Sequence, residues 1–132
     1  MAAQIPSSHI DILQKKAFAN FATVNADCVP HVTPVWVDWD GTHVLVNTAR
    51  GRVKDRNLQQ NPRVALAIAD PENPYRYVGI QGRVAAMIED GAEAHIDKMA
   101  QKYLGKDKYP YRAPGEKRVL IKIQPEKVHV VG

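Results

Sequence analysis

The sequence contains a single cysteine, Cys28, among 132 residues. One thiol cannot form a disulfide within the chain, and sparse cysteine usage fits a reducing compartment. No apolar run approaches the roughly 20 residues that a membrane-spanning helix needs, and the N-terminus lacks the basic and apolar regions of a signal peptide. We therefore expect a cytoplasmic protein with no membrane partner.

Several catalytic and binding motifs are also missing. The five histidines are scattered without HxH or HExxH spacing, which argues against a metal site. There is no GxSxG nucleophile elbow, no GxxxxGK[ST] phosphate loop and no dinucleotide-binding GxGxxG. Cys28 has no base partner evident from the sequence, so we interpret it as incidental rather than as a nucleophile. The catalytic residues are therefore unknown from the sequence, and no metal is predicted.

Aromatic residues make up only 7% of the chain, while the formal net charge is +4. An excess of cations permits nucleic acid, an anionic surface or a small polyanionic ligand as partner. A barrel that binds single-stranded nucleic acid alternates aromatic residues with cations along exposed strands. Here the cations cluster at one corner, and we interpret Trp36 and Trp39 as core or dimer contacts rather than a stacking platform. Nucleic acid is therefore the partner that the sequence favours least.

The chain does contain a succession of strand-like runs with short helices between them. Strands are expected at 17–25, 30–40, 42–48, 63–70, 75–88, 117–124 and 127–131. Helices are expected at 7–16, between the basic segment and Asn61-Pro62, and at 90–104. Hairpin-type connections dominate and no βαβ rhythm is present, which indicates a mainly antiparallel sheet. We predict one domain over residues 1–132, a six- to seven-stranded antiparallel barrel that is mainly β with short helices.

The segment TARGRVKDRN, residues 48–57, places four basic residues at the start of a predicted helix. A helix N-terminus carries partial positive charge and disfavours cations in its first turn. Its free N–H groups form an anion site, which Arg52 and Lys54 would strengthen and to which Thr48 or Asn57 could add polar contacts. A bound phosphate would reverse the local sign of charge; the alternative is a solvated basic helix start.

Other cations have weaker claims to a function. We interpret Arg50 and Arg56 as surface charges, because all the cations of one short helix cannot face one phosphate. His95, Lys98 and Lys102 follow a helical spacing and are interpreted as a solvated face. The loop KDKYPYR, residues 106–112, and the segment Tyr75-Arg76-Tyr77 mix cations with tyrosines and could cover a ligand.

Three segments resemble the split-barrel flavin-binding proteins related to pyridoxamine 5′-phosphate oxidase. Within that superfamily they are most similar to small deazaflavin-dependent reductases, which use coenzyme F-420. The similar segments lie at residues 24–41, 47–84 and 108–119 and cover most of 17–120. One departure is Asp27-Cys28, where relatives usually have Asp-Gly; this alters the turn rather than the site.

The resemblance implies a split barrel that forms a homodimer with two cofactor sites at the subunit interface. It implies that the cofactor phosphate is held by Arg52, Lys54 and Asn57, with Thr48 and Ala49 at the same end. It implies that the isoalloxazine-like ring lies along Val32, Thr33 and Pro34. It implies that the partner subunit contributes Arg76 and Tyr77, and also Arg112.

By the same resemblance, the protein is a reductase that transfers a hydride from reduced coenzyme F-420 to an electron-poor small molecule. FMN is the alternative cofactor, because both molecules carry a phosphate on a ribityl chain. Coenzyme F-420 adds a phosphodiester and an oligoglutamate tail, for which Lys98–Lys102 and Lys106–Lys108 could supply cations. A non-catalytic flavin or deazaflavin carrier remains the alternative to an enzyme, since it would retain the same anion site.

Overall fold

Seven strands and three helices follow one another in the computed structural model, which describes residues 2–132. The helices are α1 (Ile10–Gln14), α2 (Val53–Gln60) and α3 (Ala92–Leu104). The strands are β1 (Phe18–Val24), β2 (Pro30–Trp36), β3 (Asp38–Trp39), β4 (Val44–Ala49), β5 (Arg63–Asp70), β6 (Asn73–Ile88) and β7 (Arg118–Val131).

The strands form one antiparallel sheet in the order β2-β1-β5-β6-β7-β4-β3, which curls into a half-barrel. This confirms the predicted mainly-β, antiparallel split barrel of six to seven strands. Two strand boundaries differ from the prediction. The run 30–40 is divided at Val37, which is fully buried and separates β2 from β3. The runs on either side of Pro125 instead form one continuous strand, β7.

Pro125 is tolerated inside β7 because the sheet is irregular there. Opposite it on β6, the pairing register shifts between Gln81 and Gly82, as at a β-bulge. A bulge interrupts the ladder of hydrogen bonds, so a residue without an N–H group costs little at this point. A Cβ at Gly82 would collide with the backbone of Gln124, so this close approach requires glycine.

Alternating side chains from the strands build the core on the concave face of the sheet. Phe21 of β1, Ile68 of β5 and Ile121 of β7 are fully buried, and Ile12 and Leu13 of α1 close one end. Burial of each such side chain contributes about 1.5–3 kcal/mol. The described residues contain no helix long and apolar enough to cross a bilayer.

Two turns have unusual backbone conformations. Gly51, between β4 and α2, has a φ of 90°, which lets the chain reverse sharply before the helix. Cys28, between β1 and β2, has a φ of 62° and occupies the left-handed region that favours glycine. The sharp corner at Gly51 brings the end of β4 and the start of α2 to the same place, where the candidate site lies.

Candidate functional site

A cavity of about 220 Å³ lies where β2, β4, α3 and the segment 105–117 meet. Its lining falls into two chemically different halves. The polar half is formed by Thr33, Asn47, Thr48, Arg52, Lys54 and Arg118. The apolar and aromatic half is formed by Phe18, Pro34, Val35, Trp36, Ile96, Met99, Tyr109 and Tyr111.

Lys54 is the most unusual residue of the polar half. Its exposed fraction is only 8%, and its Nζ forms no hydrogen bond or ion pair with any residue among 2–132. Burial lowers the pKa of Lys54, and the positive charges of Arg52 and Arg118 lower it further. A buried ammonium without a partner is unfavourable. An anion bound in the cavity would compensate this charge.

Arg118 and Glu116 form an incomplete pair beside Lys54. Arg118 Nη1 lies 3.3 Å from Glu116 Oε2, but neither atom forms a hydrogen bond among the described residues. Glu116 Oε1 lies 3.3 Å from Arg52 Nη2. One carboxylate therefore serves two guanidinium groups, while Lys54 has no counter-charge of its own among the described residues.

Two threonines add unsatisfied polar atoms to the same cavity. Thr33 Oγ1 and Thr48 Oγ1 are buried and have no hydrogen-bond partner among the described residues. Buried polar atoms in native proteins are nearly always hydrogen-bonded, so their concentration here, together with Arg118 Nη1, indicates a missing ligand or ordered water. Hydroxyl, ammonium and guanidinium donors around one space are the groups that bind phosphate.

The aromatic half provides flat surfaces. Trp36 stacks on Tyr103 with ring centroids 5.0 Å apart and planes 5° from parallel. Tyr109 meets Trp36 edge-on at 5.9 Å, and the guanidinium of Arg118 lies 5.1 Å from the centre of the Tyr109 ring. Trp39, in contrast, packs against the hydrophobic core. A planar ligand with an anionic end would find an aromatic wall at one side and cations at the other.

Five of the residues that the resemblance assigned to the cofactor line this cavity: Thr33, Pro34, Thr48, Arg52 and Lys54. Three other assigned residues from the same elements are outside the lining. The side chain of Val32 is 61% exposed, and Ala49 is buried. Asn57 is buried as well, and its Nδ2 donates a hydrogen bond to Thr23 Oγ1 at 3.0 Å. Asn57 thus holds α2 against β1.

The three residues assigned to a partner's site also lie outside the cavity of their own chain. Arg76 forms ion pairs with Asp11 at 2.7 Å and Asp70 at 2.9 Å. Arg112 forms ion pairs with Glu93 and Asp97 at the surface of α3. Tyr77 packs against the ring of His129. Their contribution to a second subunit stays a prediction.

The expected solvated stripe on α3 is corrected by the structure. His95 is largely buried, with a side-chain exposure of 9%, and it contacts Asp38 and Asn47. Lys102 Nζ donates to the carbonyl oxygens of Leu13 and Val37, each at 2.8 Å. Burial lowers the pKa of Lys102 to about 8, although Asp38 opposes this shift. Lys102 is therefore not available for an oligoglutamate tail, whereas Lys98 is 68% exposed.

Several cavity residues, above all Asn47 and Arg118, are not among those predicted from the sequence. Neighbouring strands bring both to the cavity: Ala49 of β4 pairs with Arg118 of β7, and Arg118 Nε donates to Asn47 Oδ1 at 2.9 Å. The one signal was an arginine opening an otherwise apolar strand, RVLI. Among the described residues, no group of three or more potential ligands could hold a metal ion.

The chain is similar to several known proteins. The profile of the family described as "Pyridoxamine 5'-phosphate oxidase" matches residues 6–132. A solved structure named "F420 Reductase" is 31% identical, covers 95% of this chain and 98% of its own, and has a TM-score of 0.83. No curated protein sequence matches the chain.

Two more distant structures share the fold. A putative pyridoxamine 5′-phosphate oxidase from Listeria innocua is 21% identical over 92% of this chain and 93% of its own, with a TM-score of 0.68. The heme storage protein of Vibrio cholerae is 18% identical over 92% of this chain and 91% of its own, with a TM-score of 0.67. At these identities the likeness shows the fold alone.

Proposed function

Because the chain belongs to the pyridoxamine 5′-phosphate oxidase family, we propose that it is a cytoplasmic, coenzyme F-420-dependent reductase that acts on an electron-poor small molecule. The observation that carries this proposal is the buried, unpaired Lys54 beside Arg52 and Arg118 in the cavity. The 31% identical structure named as an F420 reductase supports the deazaflavin in particular.

The residues of the cavity fit a phosphorylated flavin or deazaflavin. Lys54 and Arg52 would hold the phosphate, and the hydroxyl groups of Thr48 and Thr33, which have no hydrogen-bond partner among the described residues, would donate to it. Pro34, on β2, presents an apolar surface along which the ring would lie. When bound, the reduced deazaflavin supplies the hydride.

The protein's own contribution is position and electrostatics. The aromatic wall around Trp36 and Tyr109 would exclude water from one side of the ring. The cavity brings no carboxylate–histidine pair to this wall, so the side chains offer binding and orientation rather than an evident general base. This observation also favours a second candidate, a flavin or deazaflavin carrier without turnover.

We further propose a homodimer that covers the convex face of the sheet. One row of paired positions on the outward face crosses five strands without a break: Pro34, Asn20, Ala67, Gly79 and His129. Small residues at its centre make the face flat, and exposed Phe18 and Val32 lie beside it. Pro34 belongs to both this face and the cavity, so a second copy here would border the cofactor site.

The dimer is tested by substituting its central residue. Ala67→Arg should shift the protein from dimer to monomer in sedimentation velocity, because a charge would be buried at the interface. Gln101→Arg on the exposed face of α3 is the matched control and should leave the mass unchanged. A wild-type monomer, or a dimer that survives Ala67→Arg, would contradict this interface.

Cofactor identity and turnover are tested together. Purified protein is titrated separately with coenzyme F-420 and FMN, and reduced cofactor is then mixed with a panel of enones, quinones and tetrapyrroles. We expect tighter binding of the deazaflavin and oxidation of it by at least one acceptor. Micromolar binding of FMN with none of the deazaflavin would overturn the cofactor proposal. Binding without turnover on any acceptor would favour the carrier.

A further inference from the structure

Four side chains form a chain of hydrogen bonds that ends in the cavity. Asp38 Oδ2 contacts His95 Nε2 at 3.0 Å, and His95 Nδ1 contacts Asn47 Nδ2 at 3.1 Å. Asn47 Oδ1 then accepts a hydrogen bond from Arg118 Nε at 2.9 Å. Asp38 and His95 are outside the cavity lining, whereas Asn47 and Arg118 belong to it. These hydrogen bonds thus join a largely buried acid, Asp38, to Arg118, a cation of the candidate phosphate site.

The orientation of the Asn47 amide is determined by two partners whose roles cannot change. Arg118 Nε can only donate, so the amide oxygen must face it. The carbonyl oxygen of Ala92, 2.9 Å from Asn47 Nδ2, can only accept, so the amide nitrogen must lie there. The same nitrogen faces His95 Nδ1, which must therefore carry a lone pair rather than a proton.

The other ring nitrogen of His95, Nε2, faces Asp38, which determines its role in the hydrogen bond. Burial opposes ionisation of Asp38, but hydrogen bonds from His95 and the Trp39 N–H, with the charge of Lys98, lower its pKa to about 2. An ionised carboxylate only accepts hydrogen bonds, so His95 Nε2 carries the proton. Both ends of the ring thus specify one form, the neutral Nε2–H tautomer.

We propose that His95 is a positioning residue, which acts through Asn47 to hold Arg118 in the orientation that binds the cofactor's anionic group. This inference rests on the proposed function. Loss of the acceptor at Nδ1 leaves the Ala92 carbonyl oxygen as the one remaining partner of Asn47 Nδ2, so the Asn47 amide is held less firmly against Arg118 Nε. The other supports of the guanidinium are the Tyr109 ring, at 5.1 Å, and Glu116 Oε2, which lies 3.3 Å from Nη1. An outer residue that fixes a binding group commonly controls affinity in this way.

The test uses two substitutions of His95 that separate its two contacts. His95→Asn keeps an acceptor near the position of Nδ1 and loses the contact with Asp38. His95→Leu loses both. Inorganic sulfate, whose charge is constant near neutral pH, is titrated into ¹⁵N-labelled protein while the amide signals of Arg52 and Lys54 are followed. We expect sulfate affinity to fall several-fold in His95→Leu and to return close to the wild-type value in His95→Asn.

Sulfate affinity unchanged in His95→Leu, or equally weak in both variants, would overturn the inference. Lys54→Ala distinguishes this failure from failure of the proposed function. If Lys54→Ala leaves sulfate affinity unchanged, the proposed anion site is wrong. If Lys54→Ala weakens sulfate binding but the His95 variants do not, only the proposed positioning role of His95 is wrong.

A measurement on the wild type does not depend on the variants folding. The ¹⁵N shifts of the His95 ring should show a protonated Nε2 and an unprotonated Nδ1 at neutral pH, and this form should persist with sulfate bound. A protonated Nδ1 would overturn the proposed role of His95.

Discussion

Two clusters of cations, at different places in the sheet, differ in how their charges are paired. The N-terminal cluster contains Lys15 and Arg76 with three carboxylates, those of Asp11, Asp70 and Glu72. Hydrogen bonds from Arg76 outweigh burial and lower the pKa of Asp11 to about 2. Every charge in this cluster has a partner. The cluster therefore joins α1 to the β5–β6 hairpin and leaves no charged group to bind a ligand.

The cavity cluster has the opposite balance. Two of its three cations, Arg52 and Arg118, share the single carboxylate of Glu116. Lys54 is buried, and its Nζ forms no hydrogen bond or ion pair within residues 2–132. Net positive charge held in a low-dielectric space is unfavourable unless an anion binds there. The two clusters therefore differ in how many carboxylates of the protein are available to pair with their arginines and lysines.

The largest effect on cofactor affinity is expected from giving the cavity cations an additional carboxylate of the protein as a partner. Thr48→Asp would place a carboxylate among the three cations, where the anion of a cofactor would otherwise bind. We expect cofactor affinity to fall on the order of 100-fold or more, since charge-assisted hydrogen bonds are lost and repulsion is added. Thr48→Asn, of similar size and without charge, is the control in the same fluorescence titration. Equal losses in both variants would show that shape rather than charge decides binding.

The converse change removes the pairing from the N-terminal cluster. Arg76→Gln leaves Asp11 and Asp70 without their guanidinium, so the denaturation midpoint should fall by a few degrees in a thermal melt. Arg83→Gln, on the exposed side of the same strand, is the control and should leave the midpoint unchanged. An unaltered midpoint in Arg76→Gln would mean that the paired cluster does not stabilise the fold. Cofactor titration of the same variant tests separately whether Arg76 reaches a partner's site.

A smaller effect is expected from the one carboxylate that the cavity cluster does contain. Glu116→Gln removes the internal competitor of the bound anion. We expect cofactor affinity to rise by up to about fivefold, the range of a partly solvated ion pair. If Glu116 instead holds Arg52 and Arg118 in place for the ligand, the affinity will fall. The sign of the change in calorimetric titration therefore decides between competition and support.

The smallest effect within a convenient pH range comes from the titration of Lys54. Its pKa is lowered, so in the free protein Lys54 loses its proton at a lower pH than an exposed lysine does. Anion binding needs the protonated form. Affinity should therefore be highest below this lowered pKa and fall above it, by at most about tenfold per pH unit. The same series on Lys54→Ala should lack this dependence; a parallel slope would assign it to another group.

Much of the fold could be predicted from the sequence, because its signals are local. Alternation in AFANFATV, the Asp40-Gly41 turn and Asn61-Pro62 define strands, a hairpin and a helix end within a few residues. The site could be predicted only in part. TARGRVKDRN contains Arg52 and Lys54 in one local pattern, and both line the cavity.

The remaining cavity residues depend on the pairing of distant strands. Arg118 and Asn47 are far apart in the chain and meet because β7 pairs with β4. His95 was interpreted as solvated because helical spacing shows which residues share a face but not what lies opposite it. The structure places Asp38 of β3 and Asn47 of β4 against that face. Long-range contacts of this kind leave no periodic trace in the sequence.

The central claim is that Lys54 and the neighbouring arginines of the cavity, Arg52 and Arg118, bind the cofactor's phosphate. The most direct test compares the affinities of coenzyme F-420 and of its deazaflavin alcohol, which lacks the phosphate and everything beyond it. The wild type and Lys98→Ala should both bind the phosphorylated molecule more tightly. In Lys54→Ala this preference should largely disappear, because the affinity for coenzyme F-420 falls while the affinity for the alcohol changes little. A preference that is as large in Lys54→Ala as in the wild type would contradict the account.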